Sequence, residues 1–150
     1  VWDFPRPPVI VPDTREVVIR WGAVEVARTR QAVRVLETSY PPNFYLPWAD
    51  VARHLLRLEP VTGSFCEWKG PAQYWTLIDG SRRLSRVAWR YTRPLAGAEV
   101  LADRVAFYPT HMDCQLDGLP VRPQAGGFYG GWITAELVGP FKGEAGSAGW

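Results

Sequence analysis

The sequence predicts a mainly β domain, β-rich α+β in class, with antiparallel strands and two short helices. Three observations lead there. Val17, Ile19 and Trp21 alternate with Val18 and Arg20, and Val87, Trp89 and Tyr91 with Arg86, Ala88 and Arg90, the pattern of half-buried strands. Gly22-Ala23, Asp79-Gly80 and Asp117-Gly118 punctuate such runs with hairpin turn signals. Tyr40-Pro41-Pro42-Asn43-Phe44-Tyr45 excludes helix, because each proline drives the residue before it toward extended geometry.

The elements follow in order. Residues 1–15 are proline-rich and predict an extended arm across the domain. Val17, Ile19 and Trp21 form the first alternating strand; Val24–Ala27 returns after the Gly22-Ala23 turn, and Val33–Leu36 follows, ending at Glu37-Thr38-Ser39. A short helix is expected from Pro47, with Val51, Leu55 and Leu58 on one face and Asp50, Arg53 and Arg57 facing away, ended by Pro60. Gln73–Ile78 and Leu84–Tyr91 predict a hairpin in which Val87, Trp89 and Tyr91 share one face. Arg86, Ala88 and Arg90 then take the other, read as solvent-facing. Ala96–Asp103 suggests a second short helix, Val105–Tyr108 a strand, and Asp113–Leu116 with Leu119–Arg122 a last hairpin. From residue 124 glycines crowd the chain, yet Phe128, Tyr129, Trp132, Ile133 and Phe141 sit among them. A disordered linker rarely carries so many rings, so residues 124–150 are read as a wrapping tail.

A length of 150 residues fits one domain, 1–150. Eight Trp point to a core built from rings or to a ring-lined pocket. The net charge is +2 with basic residues scattered, which argues against a nucleic-acid partner. No apolar run is long enough for a helical membrane span. The start lacks a signal-peptide pattern and also lacks Met, so trimming of a leader stays open. Two distant cysteines make no disulfide framework, and the cytosol is the expected compartment, with both thiols reduced.

Thr38-Ser39, Pro41-Pro42, Tyr45, Cys66-Glu67-Trp68-Lys69-Gly70, Tyr74-Trp75, Ala88-Trp89-Arg90-Tyr91 and Val105-Ala106-Phe107-Tyr108, in this order, resemble the domain of unknown function 427 family, also catalogued as nucleotidyltransferase-like. Trp2-Asp3-Phe4-Pro5-Arg6-Pro7-Pro8 and Gly126–Ile133 look like an actinobacterial branch of it. The resemblance implies folded-over antiparallel sheets of β-tent type. It implies no reaction. The family often has His where this chain has Tyr40, so no imidazole role carries over there.

Three site readings compete. Metal needs about four ligands; Cys66, His111 and Cys114 offer three, and two buried thiols with a surface His are the favoured account, so neither metal nor cofactor is expected. A catalytic reading takes Cys66 as nucleophile or redox centre, with Lys69 favouring its thiolate. On a regular strand Cys66 and Lys69 face opposite ways, and only a bend at Gly70-Pro71 brings them together. The leading reading is a binding pocket for a small ligand, anionic or nucleotide-like, lined by Glu37, Tyr45, Trp68, Lys69, Tyr74, Trp89 and Tyr91. Trp75 adds a ring, and Lys69 or Arg34 would meet an anion. Core packing of the same rings, with Lys69 reaching along them to water, is its rival. The expected partner is thus an unidentified small molecule, neither nucleic acid nor membrane. A third reading, an interaction module or homodimer, would use the proline-rich start and the aromatic tail.

Overall fold

Residues 1–60, 65–66, 70–94, 97–126, 129–147 and 149–150 are described by the computed structural model, with residues 65, 66, 70 and 71 described for their backbone alone. The strands are β1 Val9–Asp13, β2 Val17–Trp21, β3 Val24–Thr29, β4 Ala32–Glu37, β5 Tyr40–Pro47, β6 Leu56–Leu58, β7 Phe65–Cys66, β8 Gly70–Pro71, β9 Gln73–Asp79, β10 Arg82–Arg90, β11 Arg104–Phe107, β12 Asp113–Leu116, β13 Leu119–Pro120, β14 Arg122–Pro123 and β15 Trp132–Ile133. Every described pairing between these strands is antiparallel. A large sheet runs β1-β4-β5-β11-β10-β9-β6, a smaller one β13-β12-β2-β3, and β14-β15 and β7-β8 form two ribbons. The fold is mainly β, with no long helix among the described residues.

The turns do what their residues favour. Asp117 and Gly118 both carry positive φ, 48° and 80°, as a tight hairpin between twisted strands demands. In the β9–β10 hairpin Asp79 pairs with Arg82, so the loop is Gly80-Ser81, one residue later than the Asp79-Gly80 signal suggests. Pro41 and Pro42 cannot donate to a ladder, and proline in strands belongs at edges or bulges. They fall where the β4–β5 register shifts between Val35 and Glu37, and β11 pairs with β5 only over Tyr45–Pro47.

The large sheet is dry on both faces at its centre. Phe44, Leu46, Leu77, Ala88, Val105 and Phe107 pack with Val17, Ile19, Val26, Cys114 and Leu116 of the smaller sheet in the first core. Trp132 of the tail stacks on Phe44, centroids 5.1 Å apart, and its indole N–H donates to the Phe107 carbonyl at 3.0 Å. Such ring pairs add about 0.5–1.5 kcal/mol beyond area burial. On the opposite face Val33, Val35, Tyr45, Ala72, Tyr74, Trp89, Tyr91, Ala98, Leu101 and Ala106 form a second core.

Three expectations change here. Residues 47–60 do not make one helix. The chain takes two 3-10 turns, Trp48–Asp50 and Arg53–Leu55, and then strand β6. Val51 bridges Ala27, the Ala52 N–H donates to the Val26 carbonyl at 2.8 Å, and Leu56 pairs with Leu77. Sheet contacts take the backbone groups a helix would use, while Val51 and Leu55 stay buried. The second helix shortens to a 3-10 turn at Glu99–Leu101; Ala96 lies outside the described residues. The arginine face of β10 is not a solvent face either. Ala88 is fully buried. Arg90 is half-buried, lies 4.2 Å over the Trp48 ring, and donates to the Ala102 and Arg104 carbonyls.

Candidate functional site

The second core collects most of the ring residues that the sequence nominates. Tyr45, Tyr74, Trp89 and Tyr91 are all buried on that one face. The Trp89 indole N–H donates to the Tyr45 hydroxyl at 3.2 Å. Tyr45 meets Trp89 edge-on and Tyr91 at a tilt, with centroids 6.2 and 6.3 Å apart. Ala72, which directly follows the β7–β8 ribbon, is buried in the same cluster.

Other nominated residues go elsewhere. Glu37 ends β4 beside Tyr40, across the Thr38-Ser39 turn, far along the strand from Val33, the residue opposite Tyr45. Burial raises the Tyr40 hydroxyl pKa first, and the negative charge of Glu37 adds to it. Arg34 alternates with Val33 and Val35 and so faces away from the rings; its Nε lies 3.6 Å from Asp13 Oδ2. Trp75 is on the first-core face with Trp48, centroids 5.1 Å apart. Cys66 pairs with Gly70, and Gly70–Pro71 is itself a strand, not the bend that the Cys66–Lys69 reading places there. Glu67, Trp68 and Lys69 lie outside the described residues, as do Gly127 and Phe128. His54 and His111 are exposed. Cys114 is buried, and that burial, with Asp113 nearby, pushes its thiol pKa up to about 12. Among the described residues no three His, Cys, Asp or Glu side chains gather around one point.

Four residues that the sequence reading passed over complete the face. Tyr108 stacks at a tilt on Trp89, centroids 4.5 Å apart. Burial and a hydrogen bond with Tyr74 hold its hydroxyl pKa well above the tyrosine range. Asn43 alternates with Phe44 and so shares the face of Tyr45. On β4 its partner is Val35, which belongs to the second core. The Asn43 Oδ1 is buried and has no hydrogen-bond partner among the described residues. The guanidinium of Arg86 lies 4.2 Å over the Tyr74 ring. Finally, Gly130 brings the tail backbone against Trp89: a Cβ there would sit 2.7 Å from Cζ3 and closer still to Cη2. Tyr108 was legible inside a family motif. A Gly-Gly pair marked Gly130. Nothing in one sequence singles out Asn43 or Arg86.

The molecule is therefore an antiparallel β domain whose large sheet carries a ring-lined face, rimmed by Asn43, Tyr108, Tyr74 and Arg86. Residues 9–118 match the family described as Domain of unknown function (DUF427), and the chain belongs to that family. No curated protein matches the chain. The matched residues include the whole rim; Gly130 lies beyond them. No helix among the described residues is long and apolar enough to cross a membrane.

Proposed function

We propose that the protein binds a small planar ligand at the rim of the second core. The observation that carries this is the Asn43 side chain. Its amide oxygen is buried without a partner among the described residues, and such an atom costs about 1–3 kcal/mol when left unmade. A ligand N–H or O–H that displaces its cover would satisfy it, while the half-buried Tyr108 takes the planar body. Rings with a few converging polar groups are the common form of a small-molecule site. The nucleotide-like ligand expected from the sequence has this shape: a flat ring with amino donors.

The test is a titration of nucleosides and free aromatic amines, followed by the Trp89 indole N–H resonance. At least one should give a saturable shift, and Asn43→Leu should weaken it about tenfold, the worth of one such hydrogen bond. If no member of the panel saturates, or Asn43→Leu binds as well as the parent, the proposal falls.

A second reading takes up the Cys66–Gly70 pairing, which leaves three residues, Lys69 among them, between two paired strands. In an enzyme using Cys66 as nucleophile, Lys69 brought against the sulfur would favour its thiolate. Alkylation of Cys66 with a midpoint below that of a free thiol supports it. A Cys66 that stays inert until the protein unfolds ends it.

A further inference from the structure

Arg86 occupies a position that strand alternation forbids. Leu84 pairs with Leu77 and Ala88 with Trp75. Between those pairs β10 carries Ser85, Arg86 and Val87, where β9 carries Thr76 alone. The surplus is absorbed by a left-handed residue, Arg86, at φ 52°, and its N–H donates to Thr76 Oγ1 at 3.2 Å. Two side chains change sides as a result. Val87 leaves the face of Trp89 and joins Ala88 in the first core. Arg86 leaves the face of Ala88 and lies over Tyr74.

This arrangement has a cost that packing alone does not explain. Only glycine, and sometimes Asn or Asp, enters left-handed geometry freely; for other residues it costs about 1–2 kcal/mol. Strained residues and bulges concentrate where a side chain must be aimed. The strain here places a guanidinium at the rim of the aromatic face. Arg86 has no ion pair among the described residues, in contrast to Arg15, Arg20, Arg28 and Arg82, each of which meets a carboxylate within 3.3 Å. It is exposed, so its donors remain available beyond the Tyr74 ring.

We infer that Arg86 is the specificity-determining residue of this site, taking an oxyanion, phosphate or carboxylate, borne by the planar ligand. This rests on the binding proposal above. The rings and Asn43 read the flat body, and the Arg86 fork reads the anion, for which planar bidentate geometry is suited. The bulge holds the charge at the ring edge, where alternation would have turned it to the opposite face.

The experiment compares a nucleoside, its 5′-carboxylate and its 5′-phosphate on the parent protein and on Arg86→Gln, Arg86→Asn and Arg82→Gln. Asn tolerates left-handed backbone, so Arg86→Asn keeps the bulge if Gln disturbs it, and urea midpoints confirm folding. Arg82→Gln removes the same charge from the Asp79 and Trp21 neighbourhood. The parent should prefer an anionic form about tenfold, as charge-assisted hydrogen bonds warrant, and the two arms tell phosphate from carboxylate. Both Arg86 variants should lose that preference, and Arg82→Gln should keep it. Equal affinity for charged and neutral forms, or equal losses in Arg82→Gln and the Arg86 variants, overturns the role of Arg86 and leaves the binding site standing. Failure of all three compounds to bind overturns the site itself.

Discussion

Replacing Gly130 with alanine tests the contact that closes the aromatic face. The added Cβ would lie 2.7 Å from Trp89 Cζ3 and closer to Cη2, whereas carbon atoms rest at about 3.5–4.0 Å. Either the tail or the indole must move by about 1 Å or more. The indole has little freedom, since Trp89 is 6% exposed and meets both Tyr45 and Tyr108. No left-handed backbone is involved at Gly130, so the cost is steric. Overpacking of a filled core costs about 1–3 kcal/mol, and a clash of backbone against ring belongs at the upper end. With a urea slope of about 2 kcal/mol/M, the unfolding midpoint should fall by about 1 M. Trp89→Phe removes the outer ring that Gly130 meets, so on that background Gly130→Ala should cost less than about 1 kcal/mol. The resulting coupling of about 1 kcal/mol or more is what contacting residues show. Gly80→Ala is the control: its φ of 61° strains alanine, but nothing lies within 4 Å of the added atom, so it should not couple to Trp89. A Gly130→Ala midpoint within about 0.2 M of the parent, or an additive double variant, would refute the reasoning.

Two further outcomes follow from burial and charge. Cys114, with its pKa pushed up to about 12, exposes a thiolate fraction of about one in ten thousand at pH 8, against about a quarter for a free thiol. Iodoacetamide mapping should find it labelled at least about a thousandfold more slowly in native protein than in urea; labelling at the free-thiol rate would contradict its placement. Burial alone would raise the Asp13 carboxyl, but hydrogen bonds and charge from Arg15, with Arg34 behind, hold it below its ordinary pKa. A depressed folded pKa gives stability that is present above the unfolded value and lost as pH falls through the folded one. Asp13→Asn should cost about 1–2 kcal/mol at pH 7, and the gap in urea midpoints should begin to narrow below about pH 3.9 and close as pH falls through the lower folded pKa; a gap constant with pH would exclude the ion pair as its source.

The strands were legible because their signals are local. Alternation in β2, the turn at Asp117-Gly118 and the prolines of β5 each follow from a few neighbouring residues. The helix expected at 47–60 failed because three leucine and valine positions fit a helical face and a folded strand alike; the choice fell to β3 and β9, whose edges supply partners through Val26 and Leu77. The rings of the site were legible by residue type, and Tyr45, Tyr74, Trp89 and Tyr91 did converge. Glu37 was not separable from them, because its distance along β4 depends on register. Arg86 was placed on the wrong face because a bulge leaves no mark in composition: Ser85-Arg86-Val87 reads as ordinary strand until Thr76 is set opposite it.

Phe44, Tyr45 and Leu46 are consecutive and all fully buried, alternating between the two cores across β5. That strand therefore has no tolerant side. In β3 substitutions at Glu25 and Arg28 meet water, two exposed positions of six; along β5 each neighbour in turn is a wall of one compartment or the other. A side chain enlarged at Phe44 or Leu46 presses the backbone toward Tyr45, so volume on the scaffold side is transmitted to the aromatic face within a single residue. Selection on ligand recognition would thus constrain residues that never touch the ligand, and drift in the first core would retune the second.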